Sequence, residues 1–277
     1  MLVELWCESS SRTSRAVAAR KGAAVRVCEA APGAPLQPAP RLSDLRPGSL
    51  ICWPVNLRQA AHKRAVARFI KDLCKAASAK RAPKTKARIH SKRTPNIRKL
   101  ALLTSPECKE WSAGNIVNRK RRCPLQIYAG RCATIEDIRF ARQCHRQLRI
   151  SLDEHNSLSM HEQPLLARMP KRFANVMSYE DTEWPWTVFR ENGSPGVNSS
   201  YAARVNGCAV GMVHMDKPVC KPWKIEVRHG TLLKAVLASF RCPANHEHDR
   251  IVGGTRAKQS ALYPAKLAAA FADEVCA

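Results

Sequence analysis

Residues 2–29, "LVELWCESSSRTSRAVAARKGAAVRVCE", decide how this chain folds. Leu2 to Cys7 is a short, nearly unbroken apolar run, the pattern of a strand covered on both faces. The serines and threonine that follow are helix-capping residues, the Ala-rich segment after them favours helix, and Gly22 supplies a stop. Ala23 to Glu29 is a second apolar run ending on an acid. Strand, capping turn, helix, glycine, strand and acid is the order of a first βαβ unit in a doubly wound sheet. The expected fold is therefore α/β, a Rossmann-like sheet with helices on both faces.

Outward from that unit, residues 30–40, "AAPGAPLQPAP", form a Pro-rich loop. Residues 48–55, "GSLICWPV", read as a third strand cut short at Pro54, because proline removes a ladder donor. Residues 58–99 then hold 15 Lys/Arg against the single acid Asp72. The first half of this basic insertion spaces Ala61, Ala65, Phe69, Leu73 and Ala76 on one helical face. The second half has two prolines and little apolar content, so it reads as an exposed basic tether. "LALLTSP" (100–106) and "LSMHEQP" (158–164) resume the strand pattern on either side of a long helical stretch. "YAARVNGCAVGMV" (201–213) and "PWKIEV" (222–227) read as a closing strand pair, and 263–277 as an amphipathic terminal helix. Residues 1–277 are read as one domain carrying the 58–99 insertion.

Ligands in open α/β sheets bind beyond the carboxyl ends of the strands. Polar groups expected at that edge are Glu8 and Ser9 to Ser11, Glu29, Ser105 to Cys108, and His161 with Glu162. A loop opening a helix binds a carboxylate through free backbone N–H groups, and an acid ending the second strand accepts ribose hydroxyls. Trp6, Glu8, Ser9, Ser10 and Glu29 are thereby the candidate contacts of a nucleoside-bearing cofactor.

The motifs and their order resemble the cytosine-C5 DNA methyltransferase family. "SPECKEWS" is similar to its Pro-Cys-Gln-x-Phe-Ser motif, with Cys108, Trp111 and Ser112 at matching spacing, and "HEQP" resembles its Glu-Asn-Val motif at Glu162. "LVELWCESSSRTSRAVAARKG" is similar to its first motif. The C-terminal part looks closer to a divergent compact branch found in phages and algal retroelement polyproteins. It carries the Gly207-Cys208-x-x-Gly211 turn, Lys221-Pro222, the Cys242, His246, His248 cluster and a Tyr-Pro helix.

The resemblance implies a class I methyltransferase sheet, S-adenosylmethionine as cofactor, and methyl transfer to C5 of a flipped-out cytosine in DNA. It makes Cys108 the thiolate that adds to C6, and Glu162 the group that holds the ring at N3 and N4. The turn after the first strand carries Glu8 and three serines where the family has glycines, and Glu107 stands where it has proline. The alternative reading follows from those departures: a decayed methyltransferase fold acting as a non-enzymatic nucleic-acid-binding module.

The chain has 47 Lys+Arg against 22 Asp+Glu, formally +25, which favours a polyanionic partner, DNA first. Lys84, Lys86, Arg88, Lys92 and Arg93 are the candidate phosphate contacts. Cys242, His246 and His248, with Cys208 or Cys220 as a fourth donor, have the ligand types of a zinc site; the alternative is histidines that cap or line a loop. Twelve cysteines spread along the chain form no compact disulfide framework, and no segment has the run of apolar residues a membrane span needs. The expectation is a reduced intracellular protein with free thiols and no membrane partner, nuclear in a eukaryote.

Overall fold

The computed structural model describes residues 1–7, 11–31, 33–79, 97–106, 111, 122–164, 201–249 and 263–277. It begins in the expected order, with β1 (Leu2–Cys7), α1 (Arg12–Ala19) and β2 (Ala24–Glu29). Leu2, Val3 and Leu5 are all buried, so β1 is covered on both faces. Gly22 ends the helix where a Cβ would sit 2.6 Å from Val17 Cγ1, so the stop is also a tight packing point.

The chain continues through β3 (Leu50–Val55), α2 (Ala60–Ala79), β4 (Leu100–Thr104), α3 (Pro124–Ser151) and β5 (Ser157–Pro164). These five strands pair in parallel. After β6 (Tyr201–Asn206) comes a small ribbon, β7 (Val213–His214) with β8 (Lys217–Pro218). Then follow β9 (Pro222–Arg228), α4 (Thr231–Ser239) and α5 (Ala265–Cys276). The main sheet runs β3-β2-β1-β4-β5-β9-β6, with β9 antiparallel to both neighbours. The result is a mostly parallel seven-stranded α/β sheet, compatible with a Rossmann-like fold, whose strand order reverses between β1 and β4.

Two apolar layers hold the helices to it. On one face Leu103, Leu158, Met160, Ile225 and Val227 meet Val17, Leu233, Leu237, Leu267 and Phe271 of α1, α4 and α5. On the other, Leu5, Val25, Val27, Leu100 and Leu102 meet residues of α2 and α3, among them Val66, Phe69, Ile70, Leu73, Phe140 and Leu148. Each such side chain taken out of water contributes about 1.5–3 kcal/mol before the entropy of ordering it is subtracted.

Two expectations are corrected, and one element is new. Pro54 does not end β3: it stays in register with Cys28, because β3 pairs only with β2 and an edge strand tolerates a missing donor. The helix in the basic segment is the crossover from β3 to β4, and its buried residues are His62, Val66, Phe69, Ile70, Leu73, Cys74, Ala76 and Ala77. The expected Phe69, Leu73 and Ala76 are among them, while Ala61 is exposed and Ala65 half-buried, so the stripe is wider than the expected one and its first two turns are carried by His62 and Val66. Helix α4, opened by Gly230, was not anticipated; a Cβ on that glycine would lie 2.7 Å from Val227 Cγ1.

Candidate active site at the carboxyl edge of the sheet

Parallel strands deliver their last residues to one edge, and the strand order reverses between β1 and β4, the point at which open α/β sheets take ligands in a crevice. Trp6 sits at that edge in a β-bulge, where the register slips between Leu5 and Cys7. Its φ of 58° is left-handed, a conformation costing a bulky residue about 1–3 kcal/mol. The bulge sends its ring toward α3, edge-on to Phe140 at 6.0 Å. Phe140 in turn carries the Lys63 ammonium at 5.7 Å, and Lys63 with Arg58 pairs with the buried Asp137 at 3.2 and 2.8 Å. The strained Trp6 is thus braced from below by charge and aromatic contacts.

Beneath the loop that opens α1 lies a polar network whose core residues are Glu4, Ser14 and Arg26. Glu4, 3% exposed, accepts hydrogen bonds from Ser11 Oγ on both carboxylate oxygens at 2.7 and 2.8 Å, and from Ser14 Oγ. Arg26, its register partner on β2, donates to the Ser11 carbonyl at 2.9 Å. Burial pushes the Glu4 carboxyl above the usual range, and the serine hydroxyls and Arg26 oppose that shift. A sequence signal was present: an acid inside an apolar strand requires partners, and Ser11 and Ser14 stand three residues apart, one helical turn.

Glu162 lies two strands away on the same face. Its Oε2 accepts hydrogen bonds from Ser105 Oγ, just past β4, and from Tyr263 Oη at 3.1 Å, just before α5. Among the described residues its Oε1 takes no donor. Burial raises the Glu162 pKa, while Ser105, the nearby Lys221 and Tyr263 pull it back. Tyr263 itself is held well above the usual phenol range by burial and by the charges of Glu162 and Glu4. Its ring packs edge-on against Trp223 and Phe271. The sequence places Ser105 at the same edge as Glu162, and its strand parity with the buried Leu103 puts both on one face; nothing in the sequence links Tyr263 to that carboxyl.

His161 does not join its neighbour Glu162. Adjacent strand residues face opposite sides, and His161 enters the α3 layer, where Thr104 Oγ1 bridges His161 Nδ1 and His145 Nε2 at 2.8 Å each. Both imidazoles are kept neutral: burial lowers His145 to about 3 and His161 well below its ordinary value. Glu29 ends β2 exposed at the edge, as expected. Glu8, Ser9, Ser10, Cys108, Lys84, Lys86, Arg88, Lys92 and Arg93 lie outside the described residues. The described chain leaves β4 through Ser105 and Pro106 and includes Trp111, whose ring carries the Arg131 guanidinium at 4.6 Å.

Cys242, His246 and His248 do come together, and the residue that joins them is Cys208. Cys220 is exposed and lies near the Asn206 amide at 3.6 Å. The eleven described cysteines are free thiols, and no described helix is long and apolar enough to cross a membrane. A cavity of about 870 Å³ opens at the opposite edge, lined by Arg20, Lys21, Arg46, Arg98 and Lys99. It lies at the strand starts, away from the crevice.

Comparison with protein-family models, with curated proteins and with solved structures finds no match to this chain.

Proposed function

We propose that the chain is a cytosine-C5 DNA methyltransferase built on a class I methyltransferase sheet, with S-adenosylmethionine as methyl donor and DNA as partner. The observation that carries the reading is Glu162: a buried carboxyl at the crevice, fixed through one oxygen by Ser105 and Tyr263, with the other oxygen left for a ligand. It stands on β5 beside β4, and β4 is the strand that leads to Cys108.

The residues present fit a nucleoside-bearing cofactor. Trp6 offers a ring at the end of β1, Glu29 an exposed acid at the end of β2, and the first turn of α1 its N-terminal end, which has no side-chain cap. Thr13, in that first turn, is fully buried with a hydroxyl that has no partner among the described residues. When bound, the cofactor supplies an electrophilic methyl group. The chain's own work is then to hold the cytosine and move charge through it. The Cys108 thiolate adds to C6, and Glu162 carries a proton at ring N3, drawing the added electron density through the ring. C5 becomes nucleophilic and takes the methyl; its proton then passes to solvent water, the C5–C6 double bond re-forms, the Cys108 thiolate is expelled, and the N3 proton returns to Glu162. A carboxyl whose pKa is raised by burial suits that proton-bearing role.

Titration calorimetry with S-adenosylmethionine tests the reading: one saturable site is expected, weakened in Trp6→Ala and Glu29→Ala. Absence of binding overturns it. A second reading, a non-enzymatic nucleic-acid module, is favoured by Ser11, whose side chain fills the space under the α1 turn through its bonds to Glu4. That reading predicts DNA affinity indifferent to Cys108→Ser, with a salt dependence flattened by up to about 4.5 in log–log slope when Lys84, Lys86, Arg88, Lys92 and Arg93 are neutralised.

A further inference from the structure

At the far end of the same edge, past β6, four donor atoms from two separate segments converge. Cys208 stands on a short 3₁₀ turn (Cys208–Val210) directly after β6, and Cys242, His246 and His248 follow α4. Cys242 Sγ lies 3.8 Å from His246 Nε2 and 3.3 Å from His248 Nε2. The two Nε2 atoms are 3.0 Å apart, and His248 Nε2 is 3.4 Å from Cys208 Sγ. All four donor atoms lie within 4.8 Å of one another.

A tetrahedron with zinc–sulfur bonds of about 2.3 Å and zinc–nitrogen bonds of about 2.0–2.1 Å has edges of roughly 3.3 Å between nitrogens and roughly 3.5 Å between nitrogen and sulfur. The donors already stand close to those separations. We propose that Cys208, Cys242, His246 and His248 bind one zinc ion in a closed, structural Cys2His2 site.

The surroundings are built for it. The Ala244 N–H donates to Cys242 Sγ at 3.3 Å, an outer hydrogen bond that fixes where this sulfur points, and Ala244 holds a left-handed φ of 58°. His246 Nδ1 meets Asn245 Oδ1 at 3.1 Å, the outer hydrogen bond that fixes the tautomer and turns Nε2 inward as ligand. Gly207, just before Cys208, passes so close to the chain that a Cβ would sit 2.7 Å from the Val219 carbonyl oxygen.

Between β6 and β9 the chain makes an excursion with little core of its own: Val210 and Val219 are buried, but Val213 and Met215 are exposed. Apart from the cluster, it is tied to the 240–249 segment by a backbone bridge from Asp249 to Pro218 and by His214 against Asp249 at 2.5 Å. A metal joining Cys208 to Cys242 closes that region by coordination where apolar burial is thin. Four protein ligands leave no open position, so the ion is structural rather than hydrolytic. Lys266 of α5 contacts the Ala209 carbonyl at 3.3 Å, so this turn also supports the helix that Tyr263 precedes.

The test uses the full chain, reduced and stripped of metal, titrated with Zn²⁺ against a chromophoric chelator and separately with Co²⁺. One equivalent is expected, with an intense tetrahedral cobalt spectrum and sulfur-to-metal charge transfer. Cys208→Ser and His248→Ala should each weaken zinc by about 10-fold or more, while Cys220→Ser leaves it unchanged. Zn²⁺ should raise the unfolding temperature of the stripped chain. No binding by the reduced chain, an octahedral cobalt spectrum, or loss of zinc in Cys220→Ser with retention in Cys208→Ser overturns the assignment. The wild-type cobalt spectrum decides the matter even if a variant fails to fold. None of these readouts depends on methyl transfer.

Discussion

Glu4 and Glu162 are buried carboxyls on one face of one sheet, two strands apart, and each is held by two hydroxyl groups. Their partners differ in where they come from. Ser11 and Ser14 lie seven and ten residues from Glu4, in its own βα unit, and together they occupy both carboxylate oxygens. Ser105 and Tyr263 reach Glu162 from 57 and 101 residues away, and both take Oε2. A carboxylate satisfied locally on both oxygens acts as a strut for the turn above it. A carboxyl fixed on one oxygen by distant elements is positioned, and among the described residues its other oxygen takes no donor.

That contrast can be broken most forcefully by exchanging Glu162 for its amide. Glu162→Gln keeps the shape and loses the proton-carrying group, so methyl transfer to DNA should fall by about 10²–10⁴-fold with circular dichroism unchanged. Retained transfer would make Glu162 a second strut. Removing Glu4 should act on the fold instead. Glu4→Ala leaves the two buried serine hydroxyls without their acceptor, at about 1–3 kcal/mol each in urea unfolding.

The pH dependence sharpens the contrast further. Burial raises the folded pKa of Glu162 above its unfolded value, so the native state holds that proton more tightly. The stability this supplies is present in full below the unfolded pKa and is lost as pH rises through the folded one. Glu162→Gln should therefore gain stability relative to the native chain as pH rises from acid to neutral. A flat difference between the two unfolding curves would contradict the raised pKa.

The smallest effect is expected from Tyr263→Phe. It removes one hydrogen bond, about 1 kcal/mol, and frees the carboxyl from a contact that lowers its pKa. The limb of the pH–rate profile that reports Glu162 should move to higher pH, with a rate loss of about tenfold or less. An unmoved profile would mean that Tyr263 packs without positioning.

The first βαβ unit was legible because its signals are local: an apolar run, capping residues, a glycine and a second run, all within residues 2–29. What escaped was decided by distant pairing. Pro54 reads as a terminator until β3 is known to be an edge strand. His161 and Glu162 look like one pair of site residues, yet the two-residue period of a strand sends them to opposite layers, where His161 finds His145 and Thr104. The choice of Cys208 over Cys220 as fourth donor depends on how the excursion after β6 folds back, which no spacing rule fixes. Tyr263 could be seen as the start of a helix, but not as a donor to a carboxyl 101 residues earlier.

The proposed joint action of Cys108 and Glu162 on one cytosine is tested most directly by covalent trapping. DNA carrying 5-fluorocytosine, incubated with the protein and S-adenosylmethionine, blocks the loss of a proton from C5 and strands the adduct. The predicted result is a protein–DNA conjugate stable to denaturing electrophoresis, absent in Cys108→Ala and much reduced in Glu162→Gln. No conjugate with any DNA tried, or one that persists in Cys108→Ala, would contradict the account.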